Sequence, residues 1–273
     1  MMRIVIAFFA LLALAHPGLA QDAAQTPDIP VQVRALTIVS ADLPEADRQQ
    51  VIRCLQGGTY GVEELVERVR QNLRDLGYYS AQAAAPQLAA IHEAPLPRSA
   101  EVSIQVEPGV QYHLDNIEFQ NASVFTADQL RQRFPIEAGS LFNASAIGKG
   151  LKAMKDLYLE KGYINFGAIP QPIIDKSRRV IDLTIEIDEG KPYDFGRLSL
   201  EGIEPRAGVA KALFAAWPQI EGKRYNPQLL ANWLAANAPF LKDAENVPGE
   251  GMAHQNPDTY RVDIRLEFPE RLN

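Results

Sequence analysis

A repeated motif runs through the chain and limits what it can fold into. Gly57-x-x-Tyr60, Gly139-x-x-Phe142 and Gly222-x-x-Tyr225 share one pattern and recur at nearly equal spacing. Glu107-Pro108-Gly109 and Asp188-Glu189-Gly190 form a second pair of motifs, separated by almost the same distance along the chain. Several motifs in constant register predict three copies of one supersecondary unit.

The clearest copy is the middle one. Asn116–Gln120 and Ile181–Ile187 alternate apolar and polar residues, as half-buried strands do, and two helical segments lie between them. Each closing strand has one apolar side and one polar, solvent-facing side, which indicates that helices cover only one side of the sheet. The predicted fold class is therefore α+β, with tandem βααββ modules, each a three-stranded mixed sheet covered on one face by two helices. The predicted modules span residues 31–109, 110–190 and 191–273.

The N-terminal segment has the composition of a secretion signal. Arg3 supplies a positive start, Ile4 to Ala15 is apolar, and small residues precede the expected cleavage site after Ala20. Twelve apolar residues in a helix reach about 18 Å, short of the ~30 Å hydrocarbon layer, although an uncleaved anchor is the alternative. We predict a signal peptide over residues 1–20 and a flexible arm over residues 21–30.

Composition and motifs argue against nucleic-acid binding, an internal disulfide, metal binding and catalysis. A net charge of −7 does not suit nucleic acid, whose phosphates need a basic surface, and the single Cys54 cannot close an internal disulfide. The histidines lack metal-ligand spacing: His16, His92, His113 and His254. We predict no catalytic residue, no cofactor site and no metal site. A hydrolase of the cell envelope is the less favoured alternative, because it would need two convergent carboxylates.

The remaining candidates for function are the unpaired main-chain N–H and C=O groups at the sheet edges, which could bind a partner. Pro86, Pro170 and Pro172 lie in the second strands, and proline is confined to edges, so the closing strand is predicted to be central. An open edge can receive an extended peptide, and tandem modules would raise a weak affinity by avidity. Residues 163–169 are predicted to be the best free edge, with the two later prolines stopping pairing beyond it. An edge merely blunted by its prolines is an equal alternative. Tyr78 and Tyr79 are predicted to begin the second strand of the first module, and Phe240 that of the third. The candidate partner-binding residues are Tyr78, Tyr79, Tyr163, Ile164, Asn165, Phe166 and Phe240.

Several motifs together resemble POTRA domains, the periplasmic repeats of the Omp85 family, with its translocation and assembly members as the nearest. They are Tyr112-x-Leu114-x-x-Ile117-x-Phe119, Gly139-x-x-Phe142-Asn143, the Y-x-x-x-G-Y pattern from Tyr158 to Tyr163, Asp188-Glu189-Gly190, and Leu76-Gly77-Tyr78-Tyr79. The resemblance covers everything after the predicted arm. It agrees with the strand-helix-helix-strand-strand order inferred from the periodicity.

The resemblance implies a periplasmic scaffold, associated with the outer membrane through a partner and active in assembly or translocation of outer-membrane proteins. The implied partners are an outer-membrane β-barrel protein or unfolded outer-membrane clients, with the periplasmic membrane face as a further candidate and no nucleic acid. Family members usually continue into a membrane β-barrel, whereas nothing follows Asn273. We therefore expect a soluble accessory protein, the partner of a separate barrel, or a truncated Omp85-type product. A structural adaptor in a secretion or division complex is the alternative.

Overall fold

The computed structural model describes residues 30–94, 98–202, 207–247, 249 and 251–269. The predicted signal peptide and all but the last residue of the predicted arm lie outside the described residues. Buried apolar side chains form three separate cores, over residues 33–106, 112–187 and 193–268. Nowhere in these described ranges is a helix both long and apolar enough to span a bilayer.

The first module differs most from the predicted pattern. Its elements are β1 (Val31–Val39), α1 (Glu45–Leu55), β2 (Thr59–Tyr60), α2 (Val62–Asp75), β3 (Gln82–Ala83), β4 (Gln87–His92) and β5 (Ser99–Glu107). The central strand is β5, parallel to β1 and antiparallel to β3 and β4, while the short β2 pairs with β1. The prediction that the second strand begins at Tyr78 and Tyr79 is wrong. Gly77 turns the chain at φ +87°, so Tyr78 points into the core and the strand begins at Gln82.

The second module has the predicted order. Its elements are β6 (His113–Gln120), α3 (Ala127–Arg131), α4 (Ala144–Leu159), β7 (Gly167–Asp175) and β8 (Val180–Asp188). The central strand β8 lies parallel to β6 and antiparallel to β7. Thr126 and Gln129 form a capping box at the start of α3, and Asn143 Oδ1 accepts the Ala146 N–H at 2.7 Å to cap α4.

The third module repeats this sheet with a shorter second strand. Its elements are β9 (Asp194–Glu201), α5 (Ala207–Ala216), α6 (Pro227–Ala236), α7 (Ala238–Leu241), β10 (Ala253–Asn256) and β11 (Arg261–Glu267). The central strand is β11, between β9 and β10. Phe240 does not begin the second strand as predicted, because Pro239 at the start of α7 favours a further helical turn. The α+β class with tandem mixed sheets is confirmed.

Candidate functional site

The outer edge of β7 is the longest second-strand edge among the described residues. The strand begins at Gly167, not at residue 163 as predicted, and it pairs with β8 along all of Gly167–Asp175. Pro170 lies opposite Ile185 and Pro172 opposite Leu183. Residues of an antiparallel pair alternate between hydrogen-bonded and non-bonded positions, and proline fits a position whose nitrogen faces away from the neighbour.

The two prolines fix which main-chain groups point outward from β7. The same alternation turns the main chain of Ala168, Pro170, Pro172 and Ile174 toward the open edge. All four residues offer a carbonyl there, but only Ala168 and Ile174 have an N–H to donate. No strand in the described part of the chain pairs with this edge. The edge is therefore open and rich in acceptors.

Two exposed isoleucines place apolar side chains on the solvent-facing side of β7. Ile169 is 63% exposed and Ile173 60% exposed, more than any other large apolar residue of the described chain. They lie opposite Glu186 and Asp182 of β8, on the face that the helices leave uncovered. An extended segment lying along β7 would therefore meet apolar surface as well as hydrogen-bonding groups.

A cavity of about 390 Å³ adjoins the same edge on the helix side. It lies between the first and second modules and is lined by Gln71, Arg74, Tyr79, Phe142, Ala144, Ile147, Pro170, Pro172 and Leu183. Pro170 and Pro172 thus belong both to the open edge and to the cavity wall. The edge and the cavity form one continuous site.

Arg74 and Gln71, two polar side chains that line this cavity, already have partners. Arg74 Nη1 lies 3.1 Å from Glu67 Oε1, and Gln71 Nε2 donates to Asp75 Oδ1 at 3.1 Å. The remaining lining residues are apolar or aromatic. Most residues of the cavity wall are therefore apolar or aromatic, and the one cation among them is paired with Glu67.

The contact between the first two modules holds the cavity in place. Ser145 donates to the Asp75 carboxylate from its main-chain N–H at 2.8 Å and from its hydroxyl at 2.6 Å. Tyr79 and Phe142 meet edge to face with ring centroids 5.3 Å apart. Such aromatic pairs stabilise a contact beyond their area of burial. Side chains from both modules therefore build the cavity wall.

Tyr78 and Tyr79 have different environments, although they are adjacent. Tyr78 is buried, and its hydroxyl donates to Asp47 Oδ2 at 2.7 Å. Burial, followed by the Asp47 hydrogen bond and charge, raises the pKa of Tyr78 above its ordinary range. Tyr79 is half-buried in the cavity wall. Of the predicted partner-binding residues, Tyr79 is the one that the structure brings beside the edge of β7.

Residues 163–166 do not form the predicted edge strand. Gly162, at φ +83°, ends the helical segment, and a turn follows before β7 begins. Phe166 is buried and stacks on Tyr158 with centroids 4.1 Å apart. Ile164 packs against the core of the third module, and Asn165 Nδ2 donates to the Tyr193 hydroxyl at 3.2 Å. This turn therefore faces the next module rather than a free edge.

The other predicted residues stand apart from the site. Tyr163 is half-buried and packs edge to face against Tyr158, while Phe240 is 40% exposed on α7 of the third module. Ala168, whose N–H faces outward, lies within the predicted edge 163–169 but was not among the named residues, and Ile174 was missed. The spacing of the two prolines contained the signal, because it sets which alternate residues of the strand face away from β8.

The Glu189 side chain connects the loop after β6 to α4. Its carboxylate accepts from the Ser123 N–H at 2.8 Å, the Val124 N–H at 2.9 Å and the Tyr158 hydroxyl at 2.7 Å. Burial alone would raise the pKa of Glu189, but these bonds and one from the Ser123 hydroxyl together lower it. This carboxylate therefore holds loop and helix together as a structural acceptor.

Comparison with known proteins agrees with this architecture. The family model described as "POTRA: Surface antigen variable number repeat" matches residues 112–190. The outer membrane protein assembly factor BamA of Buchnera aphidicola is 25% identical over 223 residues, covering 80% of this chain and 34% of that protein. BamA of Neisseria meningitidis is 23% identical over 128 residues, covering 41% of this chain and 16% of the relative.

The chain spans about a third of the length of the Buchnera relative. The crystal structure of Haemophilus influenzae BamA POTRA3-5 superimposes with a TM-score of 0.58 at 18% identity, covering 88% of this chain and 97% of that one. At this identity the likeness concerns the fold. Residues 112–190 therefore match the POTRA domain model, and the chain as a whole has the fold of tandem POTRA domains and resembles the periplasmic part of the Omp85 family.

Proposed function

We propose that this chain is a periplasmic scaffold in the assembly or translocation of outer-membrane proteins, and that β7 receives an extended segment of a client or partner. The relatives that match it are named outer membrane protein assembly factors, although the chain spans only part of their length. The observation that carries the proposal is the open edge of β7, with its four outward carbonyls and two outward N–H groups. The role is binding, without a reaction.

The number of available bonds predicts weak binding at this one edge. Each ladder hydrogen bond contributes about 1 kcal/mol net, so the edge offers a few kcal/mol. Ordering the guest segment and immobilising it offset much of that gain. Contact with Ile169 and Ile173 adds apolar burial, and repeated modules along the chain raise the overall strength by avidity.

Site-specific photo-crosslinking in a Gram-negative cell tests the proposal. A photoreactive residue at Ile169 or Ile173 should capture outer-membrane proteins in transit, identified by mass spectrometry. Phe214, 50% exposed on α5 of the third module, is the matched control position. Capture at β7 no greater than at Phe214, or capture only of secretion or division proteins, would contradict the proposal.

Proline substitutions separate edge pairing from nonspecific contact. Ala168→Pro with Ile174→Pro removes both outward donors and should leave the bonds to β8 intact, so the protein should fold but capture less. Gln171→Pro should instead destabilise the sheet, because the N–H of Gln171 faces Thr184 of β8. Circular dichroism and thermal unfolding report the fold in each case. Full capture by the folded double variant would show that the guest does not pair with β7.

A further inference from the structure

We infer that the cavity between the first two modules holds an apolar side chain, preferably aromatic, of the segment that pairs with β7. This inference rests on the proposed function, since it requires a guest segment on that edge. It adds what the edge alone does not give, a preference for one type of side chain at one position. The preference arises from residues of both modules.

The geometry of strand pairing directs a guest side chain toward the cavity. Residues directly opposite each other in a sheet place their side chains on the same face. Pro170 and Pro172 share a face with Ile185 and Leu183, which are buried beneath the helices. A guest residue opposite either proline therefore points its side chain to the helix side of the sheet. The cavity lies on that side, with both prolines in its wall.

The cavity is large enough to take an aromatic side chain. Adjacent strands lie about 4.8 Å apart, so a guest strand beside β7 would run along the mouth of the cavity. Guest residues two apart face the same side, and two successive ones would stand opposite Pro172 and Pro170. The volume of about 390 Å³ is near the lower end of the range for ligand pockets, roughly 300–1,000 Å³.

The chemistry of the wall selects an apolar guest. Phe142, Ile147 and Leu183 line the interior and are largely removed from water. Because Arg74 and Gln71 in the wall are already bonded to Glu67 and Asp75, an acidic guest side chain would have to share these partners to offset the water that it loses. An aromatic ring would add edge-to-face contacts with Tyr79 or Phe142.

The site is incomplete without the first module. Tyr79, Gln71 and Arg74 belong to that module, whereas the edge that pairs with the guest belongs to the second. The junction holds the two halves at a fixed distance through Asp75 and Ser145. The first module therefore sets which side chain is preferred, and the second supplies the main-chain pairing.

Fluorescence anisotropy with synthetic peptides tests the inference on the full chain. The peptides are short, free of proline and identical except at the residue meant to lie opposite Pro172, which is phenylalanine, alanine or aspartate. A photoreactive residue at Ile173 verifies that each peptide lies on β7. We expect the phenylalanine peptide to bind roughly tenfold more tightly than the alanine peptide, with the aspartate peptide weakest. Moving the phenylalanine by one residue, to the open face, should remove most of this preference.

Two variants alter the cavity without touching β7. Tyr79→Ala removes an aromatic wall, and Ala144→Met fills the space from the first turn of α4. Each should reduce the preference for phenylalanine over alanine, measured as the ratio of the two dissociation constants. The matched control is Tyr260→Ala, which removes a tyrosine in an edge-to-face pair of the third module and should change neither affinity.

The outcomes separate this inference from the proposed function. Equal binding of the phenylalanine and alanine peptides, both crosslinked at Ile173, would overturn the inference and leave pairing at β7 intact. A phenylalanine preference that survives both Tyr79→Ala and Ala144→Met would also overturn it, because the side chain would then lie elsewhere. Failure of every peptide to crosslink at Ile173 would count against the edge itself and so against the proposed function.

Discussion

The two junctions between modules are built on the same main-chain hydrogen bond. At the first junction the Tyr112 N–H donates to the Gly77 carbonyl at 2.9 Å, and at the second the Tyr193 N–H donates to the Gly162 carbonyl, also at 2.9 Å. Both glycines have positive φ, +87° and +83°. The helix of one module thus ends in a turn whose carbonyl receives the start of the next module.

An asparagine repeats a second link at each junction. Asn143 caps α4 through its side-chain oxygen, while its Nδ2 donates to the Asp75 carbonyl of the preceding module at 3.0 Å. Asn226 caps α6 in the same way and donates to the Glu160 carbonyl at 3.1 Å. One side chain therefore starts a helix and ties it to the module before it.

Side chains distinguish the two junctions. The Asp75 carboxylate accepts two bonds from Ser145 at the N-terminus of α4, where a negative charge is favoured. Glu160 takes the corresponding place at the second junction, yet within the described residues its carboxylate makes no hydrogen bond or ion pair. The same joint can therefore carry this carboxylate brace or do without it, since Ile164 and Asn165 make side-chain contacts with the third module at the second junction. The joint braced by Asp75 is the one beside the 390 Å³ cavity.

The largest effect is expected from substituting the junction glycines. A Cβ on Gly162 would lie 2.6 Å from the Tyr193 carbonyl oxygen, whereas on Gly77 the nearest atom, the Tyr112 oxygen, would be 3.1 Å away. Both variants carry the strain of a positive φ, about 1–2 kcal/mol, but Gly162→Ala must also displace main chain. We expect Gly162→Ala to lose more unfolding free energy than Gly77→Ala in urea titration.

Gly148→Ala is the control for this comparison. It lies within α4, where no described atom outside the neighbouring helix backbone lies within 4 Å of the added Cβ, so it should stabilise the helix by up to about 1 kcal/mol. Equal losses for Gly162→Ala and Gly77→Ala would show that the second junction is no tighter at the main chain than the first.

The second-largest effect is expected from removing the Asp75 carboxylate, which bonds to Ser145 across the first junction. Asp75→Ala removes the acceptor of both Ser145 bonds and should cost about 1–2 kcal/mol, as the loss of a helix cap does. Glu160→Ala should change stability by no more than about 0.5 kcal/mol. The exposed Cys54 and an added cysteine at Lys149 provide spin-label positions on either side of the first junction. The label distance distribution should broaden in Asp75→Ala, and an unchanged width would contradict a bracing role.

A smaller, pH-dependent effect on stability is expected from Glu189, which bonds to the helix that precedes the second junction. Glu189 holds Tyr158, whose carbonyl accepts the Tyr163 N–H at 3.1 Å in the turn that meets the third module. Because folding lowers the pKa of Glu189, its stabilisation is complete above the ordinary pKa of about 4.5 and is lost as pH falls through the folded value. Glu189→Gln should lose about 1 kcal/mol at pH 7 and show a weaker decline in acid.

Thermal unfolding between pH 7 and pH 3 measures this dependence. Glu160→Gln removes a carboxylate that has no bonded partner in the described structure, so its curve should follow that of the unaltered protein. A Glu189→Gln variant with the same acid dependence as the unaltered protein would show that this carboxylate does not link stability to pH.

The fold could be predicted from the sequence because its signals are local. Ile181 to Ile187 alternates with period two, which identifies a half-covered central strand without knowledge of its neighbours. Pro170 and Pro172 likewise identified an edge, since the missing N–H is a property of the residue itself. The repeated Gly-x-x-aromatic motifs supplied the number of modules.

The site could be predicted only in part because it depends on distant contacts. The turn after Gly162 is set by packing of Ile164 and Asn165 against the third module, which no local pattern encodes, so the start of β7 was misplaced. The cavity combines segments near residues 71–79, 142–147 and 170–183. Only the folded arrangement brings these segments together.

The smallest effect is expected on self-association, in which the open β7 edges of two copies of the chain would pair. In the antiparallel pairing of two β7 edges about Gln171, Ala168 of each copy would face Ile174 of the other, and Pro170 would face Pro172 with no N–H on either side. A proline-free guest can donate to both proline carbonyls, so the prolines disfavour self-pairing more than guest pairing. Pro170→Ala with Pro172→Ala should therefore produce weak, concentration-dependent dimers in sedimentation equilibrium, while Pro86→Ala in the first module should not. A double variant that stays monomeric at the highest concentrations would mean that twist or the flanking module, rather than the missing donors, keeps this edge free for guests.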